Sequence, residues 1–228
     1  MRKVFGRRRR AEPEAAAEAV SERTPQQPAR EQGPWDSDEP YPERERVDLG
    51  GLLLPVGEGF EVQLNVAGDQ IVGALILVDD SALQVHAFAA PKRSGIWDEV
   101  RAELAAGVES AGGTVEEREG ALGVELIGQV PVEDQGVQPV RYIGVDGPRW
   151  FLRGVLSGKA AADAVAAEPL EAVIRDIVVV RGDTPMPPKE PIALQLPSEA
   201  KQAVDQHAED QTPDLNPFKR GPEITETR

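Results

Sequence analysis

The chain has 228 residues, a formal net charge of −15 and no cysteine. Residues 47–184 carry 22 acidic and 10 basic groups, which argues against a face for duplex nucleic acid, because phosphate contacts need clustered Lys and Arg. The lack of cysteine excludes disulfides, thiol nucleophiles and Cys-ligated zinc, and it fits a cytoplasmic location. No apolar run reaches the roughly 18 residues that a transmembrane helix requires.

The two ends of the chain differ in composition from its middle. Residues 1–46 begin with the basic tip MRKVFGRRRR and are otherwise rich in Glu, Pro, Ala and Gln. Such a segment buries too little apolar area to offset its chain entropy, so it is predicted to be a disordered arm. Residues 185–228 are Pro-rich and are predicted to form a second, largely disordered arm. Residues 47–184 are predicted to fold on their own as a single domain.

The first half of this domain is predicted to be a meander of four strands. Residues 52–56 (LLLPV) indicate a short edge strand, because Pro55 cannot donate a hydrogen bond to a neighbouring strand. Apolar alternation and turn residues then predict strands at 60–66, 70–78 and 83–88. His86 lies in the last of these strands and is expected to have a structural role.

The second half begins with an amphipathic helix. Apolar residues recur every four positions from Ile96 to Val108, and Gly112-Gly113 ends the pattern. Strands are expected at 114–119 and 121–132, followed by a hairpin that starts at residue 141. Ser157 is expected to cap a helix from residue 158 to about 167, and a last strand is expected at 174–181. This order predicts an α+β fold, with a mostly antiparallel sheet and two helices on one face.

The segment 141–159 (RYIGVDGPRWFLRGVLSGK) supplies the candidate interaction site. A two-residue turn at Asp146-Gly147 would place four of its aromatic and basic side chains on one face. Such side chains anchor interfaces, and Arg binds carboxylate or phosphate through two hydrogen bonds. The candidate residues are Arg141, Tyr142, Arg149, Phe151 and Arg153. The alternative is that these arginines pair with nearby Glu and Asp and only stabilise the sheet.

No motif in the sequence points to catalysis, a metal or a cofactor. The stretch Gly154 to Lys159 is one residue shorter than a phosphate-binding loop and lacks the hydroxyl that follows its lysine. The only histidines, His86 and His207, form no recognisable triad. Adjacent carboxylates in a strand point to opposite faces and do not converge on one ion. We therefore expect no catalytic residue, no metal ligand, no cofactor and no enzyme activity.

Four stretches carry a resemblance to other proteins: AFAAPKRSGIWDEVR (87–101), RYIGVDGPRWFLRGVLSGKAA (141–161), VVVRGDTPMPP (178–188) and LNPFKRGPEITETR (215–228). On these stretches the chain resembles an uncharacterised actinobacterial family, known only as a domain of unknown function. The resemblance implies a cytosolic protein. It brings no activity, substrate or catalytic residue with it.

Three functions stay open on the sequence alone. The first is a non-enzymatic cytosolic interaction or adaptor domain with a protein partner, which two disordered arms would suit. The second is a nucleic-acid-associated protein that is tethered by residues 1–10. The third is a binder of a small anionic ligand at the 141–159 hairpin.

Overall fold

The computed structural model describes residues 32–197, except Val56, Arg93, Ser94 and Asp134. The strands are β1 (Trp35–Asp36), β2 (Arg46–Asp48), β3 (Leu52–Pro55), β4 (Glu61–Ala67), β5 (Gln70–Val78), β6 (Ser81–Ala89), β7 (Thr114–Gly120), β8 (Gly123–Val132), β9 (Gly136–Gly147), β10 (Trp150–Gly158) and β11 (Val178–Val179). The helices are α1 (Trp97–Ser110) and α2 (Ala164–Asp176), and a 3-10 turn spans Lys159–Ala161. No helix in this part of the chain is both long and apolar enough to cross a membrane.

The strands form two sheets. Seven of them make a large antiparallel sheet in the order β4-β5-β6-β10-β9-β8-β7. The pairing of β10 with β6 joins the strands of the second half of the domain to those of the first half. Four short strands make a smaller sheet in the order β1-β11-β3-β2, in which β1 and β11 are parallel. The predicted α+β class with a mostly antiparallel sheet is confirmed.

The two helices pack on opposite faces of the large sheet. Leu170 and Ile174 of α2 belong to the same buried cluster as Leu152 of β10. Trp97 of α1 packs instead with Phe151, the neighbouring residue of the same strand. Because neighbours in a strand point to opposite faces, the prediction of both helices on one face is wrong. It overlooked that β10 is apolar at successive positions, as a strand covered on both sides should be.

The small sheet extends the fold beyond the predicted bounds of 47–184. The backbone N–H of Trp35 donates to the Ile177 carbonyl at 2.8 Å, and Asp36 is only 4% exposed. At the other end, Ile192 and Leu194 are each 5% exposed and belong to the core. Both segments fall in the predicted arms, where short apolar runs gave no periodic signal. Residues 1–31 and 198–228, which make up the rest of those arms, lie outside the described residues.

Two further elements differ from their predictions. β3, which is expected at an edge, lies between β11 and β2, and Pro55 is tolerated because it ends the strand. β10 runs through Ser157 to Gly158, whose φ of 70° breaks the strand. Asp163, rather than Ser157, caps α2. α2 then contains Pro169 and reaches Asp176, where the sequence predicts the start of a strand.

The β9–β10 hairpin turns at Pro148-Arg149 instead of Asp146-Gly147. Its register pairs Phe151 with Asp146, Arg153 with Gly144, and Val155 with Tyr142. Pro148 fixes the first φ of the turn and Arg149 supplies a φ of 62°, as a type II turn requires. The expected register is therefore wrong by four residues. Because four is an even number, each strand residue keeps its predicted face.

The sequence predicts Asp146 as a turn residue, but in the structure it has a different role. Its Oδ1 accepts the backbone N–H of Ile96 at 2.8 Å, and its Oδ2 accepts that of Trp97 at 3.3 Å. The first N–H groups of a helix have no partner within the helix, and Ile96 offers no capping side chain. The hairpin therefore supplies the N-terminal cap of α1 from 50 residues away.

Candidate functional site

The structure separates the five candidate residues of the hairpin into three environments. Arg141 is buried on the α2 face, where it contacts Glu125 and Glu171. Arg149 lies in the turn and makes only long contacts, 3.6 Å to Asp183 and 4.0 Å to Asp38. The other three residues, Tyr142, Phe151 and Arg153, share the α1 face.

Phe151 is not available as an interface residue, because it is 1% exposed beneath α1. Its ring centroid lies 5.7 Å from that of Trp97 and 6.1 Å from that of Phe88. The indole of Trp97 is itself fixed by a 2.7 Å hydrogen bond to the carbonyl of Val124. These three rings pack together beneath α1, so Phe151 contributes to packing.

Arg153 and His86 lie side by side at the centre of this face. They are paired across β10 and β6, and Arg153 Nη2 donates a weak 3.5 Å hydrogen bond to Nδ1 of the imidazole. The guanidinium also lies 5.2 Å from the ring centroid of Phe88, which is a cation–π distance. The main contacts of α1 are with β7, β8 and β9. The Arg153–His86 pair lies on β10 and β6, next to the part of the sheet that α1 packs against.

Arg153 and Arg181 both have a buried Nε without a hydrogen-bond partner among the described residues, but Arg181 donates to the Thr184 carbonyl at 3.0 Å. Arg46, Arg101 and Arg141, with side chains 4%, 13% and 7% exposed, each pair with at least one carboxylate. Among the described residues, Arg153 has no carboxylate within 4 Å, and its Nε is buried without a hydrogen-bond partner. Burial lowers the pKa of Arg153 from its usual value. In a domain with a large acidic excess, this cation is left desolvated and unpaired.

The neighbours of Arg153 are neutral. Burial, followed by the charge of Arg153, lowers the pKa of His86 to about 4, so the imidazole is uncharged at neutral pH. Burial also raises the pKa of Tyr142, although Arg153 acts in the opposite direction. Neither residue therefore neutralises the guanidinium, and both can donate a hydrogen bond to an anion.

A second unpaired donor lies in the same row of the sheet. Asn65 of β4 is opposite Gly73 of β5, and its buried Nδ2 has no hydrogen-bond partner. A Cβ on Gly73 would come within 2.6 Å of the His86 ring, so glycine is what allows the imidazole to lie there. The row across four strands thus contains two buried N–H donors that no described residue satisfies. Such orphan donors are rare in folded proteins.

Sequence reasoning missed His86, Phe88 and Asn65 as members of this site. Alternation along β6 places His86 and Phe88 on one face, and that signal was present in the sequence. The pairing of β6 with β10 was not, because 67 residues separate His86 from Arg153. His207 and the basic tip 1–10 lie outside the described residues. Within the described residues, no three acidic or histidine side chains are placed to hold a metal ion.

Fold and site together define an α+β domain whose candidate site is centred on an arginine. A family model described as "Protein of unknown function (DUF3710)" matches residues 33–203. The chain belongs to this family, which confirms the resemblance to a domain of unknown function. No curated protein and no solved structure matches the chain.

Lowering the pH from 7 to 5 is expected to reduce the free energy of unfolding of the wild-type protein by about 2 kcal/mol more than it reduces that of a His86→Gln variant. The folded pKa of about 4 lies below the usual histidine value of 6.5, so the unfolded state binds more protons in this window. The stability that neutral His86 contributes is complete above pH 6.5 and is lost as the pH falls towards 4. Urea unfolding of both proteins at the two pH values measures the difference. Equal losses in the two proteins would contradict a buried neutral imidazole.

Proposed function

We propose that the protein is a cytoplasmic, non-enzymatic interaction module that binds an acidic group of a partner protein at Arg153. The observation that carries the proposal is the desolvated guanidinium of Arg153, which has no carboxylate partner among the described residues. An unpaired charge in such a place costs stability, and a chain rich in Glu and Asp could readily have supplied a partner. Retention of the free cation is understandable if a carboxylate arrives from another molecule.

The surroundings of Arg153 suit a carboxylate. A guanidinium binds the two oxygens of a carboxylate through parallel hydrogen bonds, and such bonds strengthen where water is excluded. Neutral His86 and Tyr142 can add donors without adding charge. Phe88 supports the plane of the guanidinium from one side. A small anionic ligand would use the same chemistry, so the experiment must separate the two sources.

The non-enzymatic part of the proposal rests on the same groups. The two titratable neighbours of Arg153 in the described part of the chain are not poised to exchange a proton near pH 7: the pKa of His86 is about 4, and that of Tyr142 is raised. General acid–base catalysis works best with a pKa near the operating pH. The arrangement therefore favours binding over proton transfer.

Replacing Arg153 with Met is expected to raise the free energy of unfolding by about 1–3 kcal/mol, because it removes an unpaired desolvated charge but keeps apolar contact with Phe88. The same change should abolish binding of acidic ligands. Arg149→Met is the matched control, since the Arg149 side chain is 34% exposed and makes only long ion pairs; it should shift stability by about 0.5 kcal/mol or less. Urea unfolding measures the first effect.

Binding is measured with three probes: inorganic phosphate, succinate and a peptide rich in Asp and Glu. If the acidic group belongs to a protein, the peptide should raise the melting temperature more than succinate does at equal concentration. The shift should vanish in Arg153→Met and persist in Arg149→Met. A response to succinate or phosphate alone would identify a small-ligand site. A destabilised Arg153→Met protein, or one with an unchanged response to every probe, would show that Arg153 is structural.

A further inference from the structure

A second feature is remote from Arg153: an apolar cleft between the small sheet and the edge strand β4. Its volume is about 300 Å³. Its lining is apolar throughout: Val47, Leu49, Leu54, Pro55, Gly57, Phe60, Val62, Leu64, Leu196 and Pro197. Leu49 and Leu54 form a buried floor, whereas Val47, Val62 and Leu196 are 37%, 47% and 38% exposed. Contiguous exposed apolar surface of this kind marks a binding site.

We propose that this cleft is the docking site for the chain's own segment 215–220, LNPFKR, with Phe218 inserted between the walls. The described chain ends at the cleft. The backbone N–H of Gln195 donates to the Leu49 carbonyl at 2.8 Å, which holds the chain at the cleft, and Leu196 and Pro197 form part of its wall. The residues that follow Pro197 therefore begin at the rim of the cleft.

The spacing in sequence lets Phe218 reach the cleft. About 20 residues separate Pro197 from Phe218, and 20 residues without regular structure span about 25 Å. A tethered segment of this kind has an effective concentration on the order of millimolar at the site. Even a contact of millimolar affinity would then be half occupied. A free partner protein at micromolar concentration would have to bind far more tightly to displace it.

The segment 215–220 also complements the cleft chemically. Phe218 is the only aromatic residue after Pro197, and it stands beside Leu215 and Pro217. Lys219-Arg220 follows directly. Glu58 is exposed in the turn between the lining residues Gly57 and Phe60, so this turn brings an acidic side chain to the rim of the cleft. An apolar anchor followed by two positive charges suits an apolar cleft with an acidic residue at its rim.

Disulfide trapping tests the proposal, because the chain contains no cysteine of its own. Val62→Cys places a thiol on the wall of the cleft, and Asn216→Cys places one beside Phe218. Under mild oxidation, this pair is expected to form an intramolecular disulfide at least about 10-fold faster than a control pair, since docking raises the local concentration of the thiols. The control combines Asn216→Cys with Val137→Cys, because Val137 is 62% exposed on β9, away from the cleft.

Adding Phe218→Ala to the first pair should lower its rate to that of the control. Equal rates for the two pairs would overturn the proposal. So would disulfide-linked dimers, which would indicate that a second copy occupies the cleft. A non-covalent readout uses the methyl resonances of Val47, Val62 and Leu196: Phe218→Ala should shift them and leave those of Val137 unchanged. Unshifted cleft resonances would also count against docking.

Discussion

Arg141→Ala is expected to lower the free energy of unfolding by about 3–5 kcal/mol. The Arg141 side chain is 7% exposed, and its Nε and Nη2 donate to both oxygens of Glu125, at 2.5 and 2.9 Å. Its Nη2 also donates to Glu171 of α2 at 2.6 Å. Although burial alone would lower the pKa of Arg141, its hydrogen bonds to these carboxylates raise it. Without the arginine, Glu125, which is 1% exposed, remains as a buried charge with no cation beside it.

The double variant Arg141→Met with Glu125→Leu separates this explanation from simple loss of packing. It removes both charges, and Glu171 keeps Arg175 as a partner at 2.7 Å. The double variant should recover most of the lost stability, because replacing a buried ion pair with apolar residues is often neutral or stabilising. Urea unfolding of wild type, single and double variants measures this. A double variant that is as unstable as Arg141→Ala would show that the guanidinium acts mainly through packing.

A fragment limited to residues 47–184 is expected to show no cooperative unfolding transition, whereas residues 32–197 should keep one. The shorter fragment lacks Ile192 and Leu194, and large-to-small changes at buried aliphatic positions cost about 2–5 kcal/mol each. It also lacks Asp36, whose Oδ2 accepts the Trp150 indole N–H at 2.6 Å, and Arg46, which contacts Asp176 at 2.6 Å. Together these losses approach the whole stability of a typical domain, about 5–15 kcal/mol.

Far-UV circular dichroism during thermal and urea unfolding of both fragments decides the point. The longer fragment serves as the control for removal of residues 1–31 and 198–228, and it should unfold with a midpoint close to that of the full chain. A cooperative transition of the shorter fragment at the same midpoint would mean that the small sheet and the 192–194 segment contribute little. In that case the bounds predicted from the sequence would be sufficient for folding.

Local patterns predicted most of the elements of the large sheet. Alternation in β4 and β6 and the four-residue repeat of α1 depend on which side of an element is buried, and this is visible in short windows. Alternation also placed Tyr142 and Arg153 on one face of the hairpin. The helix α2 was harder, because Pro169 interrupts its pattern and its cap, Asp163, follows a run of small residues.

What the sequence could not supply were contacts between distant segments. β1 has two residues, and its partner β11 lies more than 140 residues later, so no window shows the pairing. The same limit applies to the candidate site. The sequence suggested that Arg141 and Arg153 were alike, yet one meets Glu125 and Glu171 and the other meets no carboxylate in the described part of the chain. Which arginine is unpaired depends on strand order and on the placement of α2.

The parallel pairing of β1 with β11 also has a consequence for biosynthesis. Trp35 leaves the ribosome long before Val178, the residue that it pairs with in the small sheet. At about 5–20 residues per second, roughly 7–30 seconds pass between the two events. The large sheet from β4 to β10 can assemble during this interval, whereas the small sheet cannot be completed until α2 and β11 have emerged. Translation therefore imposes an order of assembly in which β1, the first strand of the described residues, is among the last to be paired.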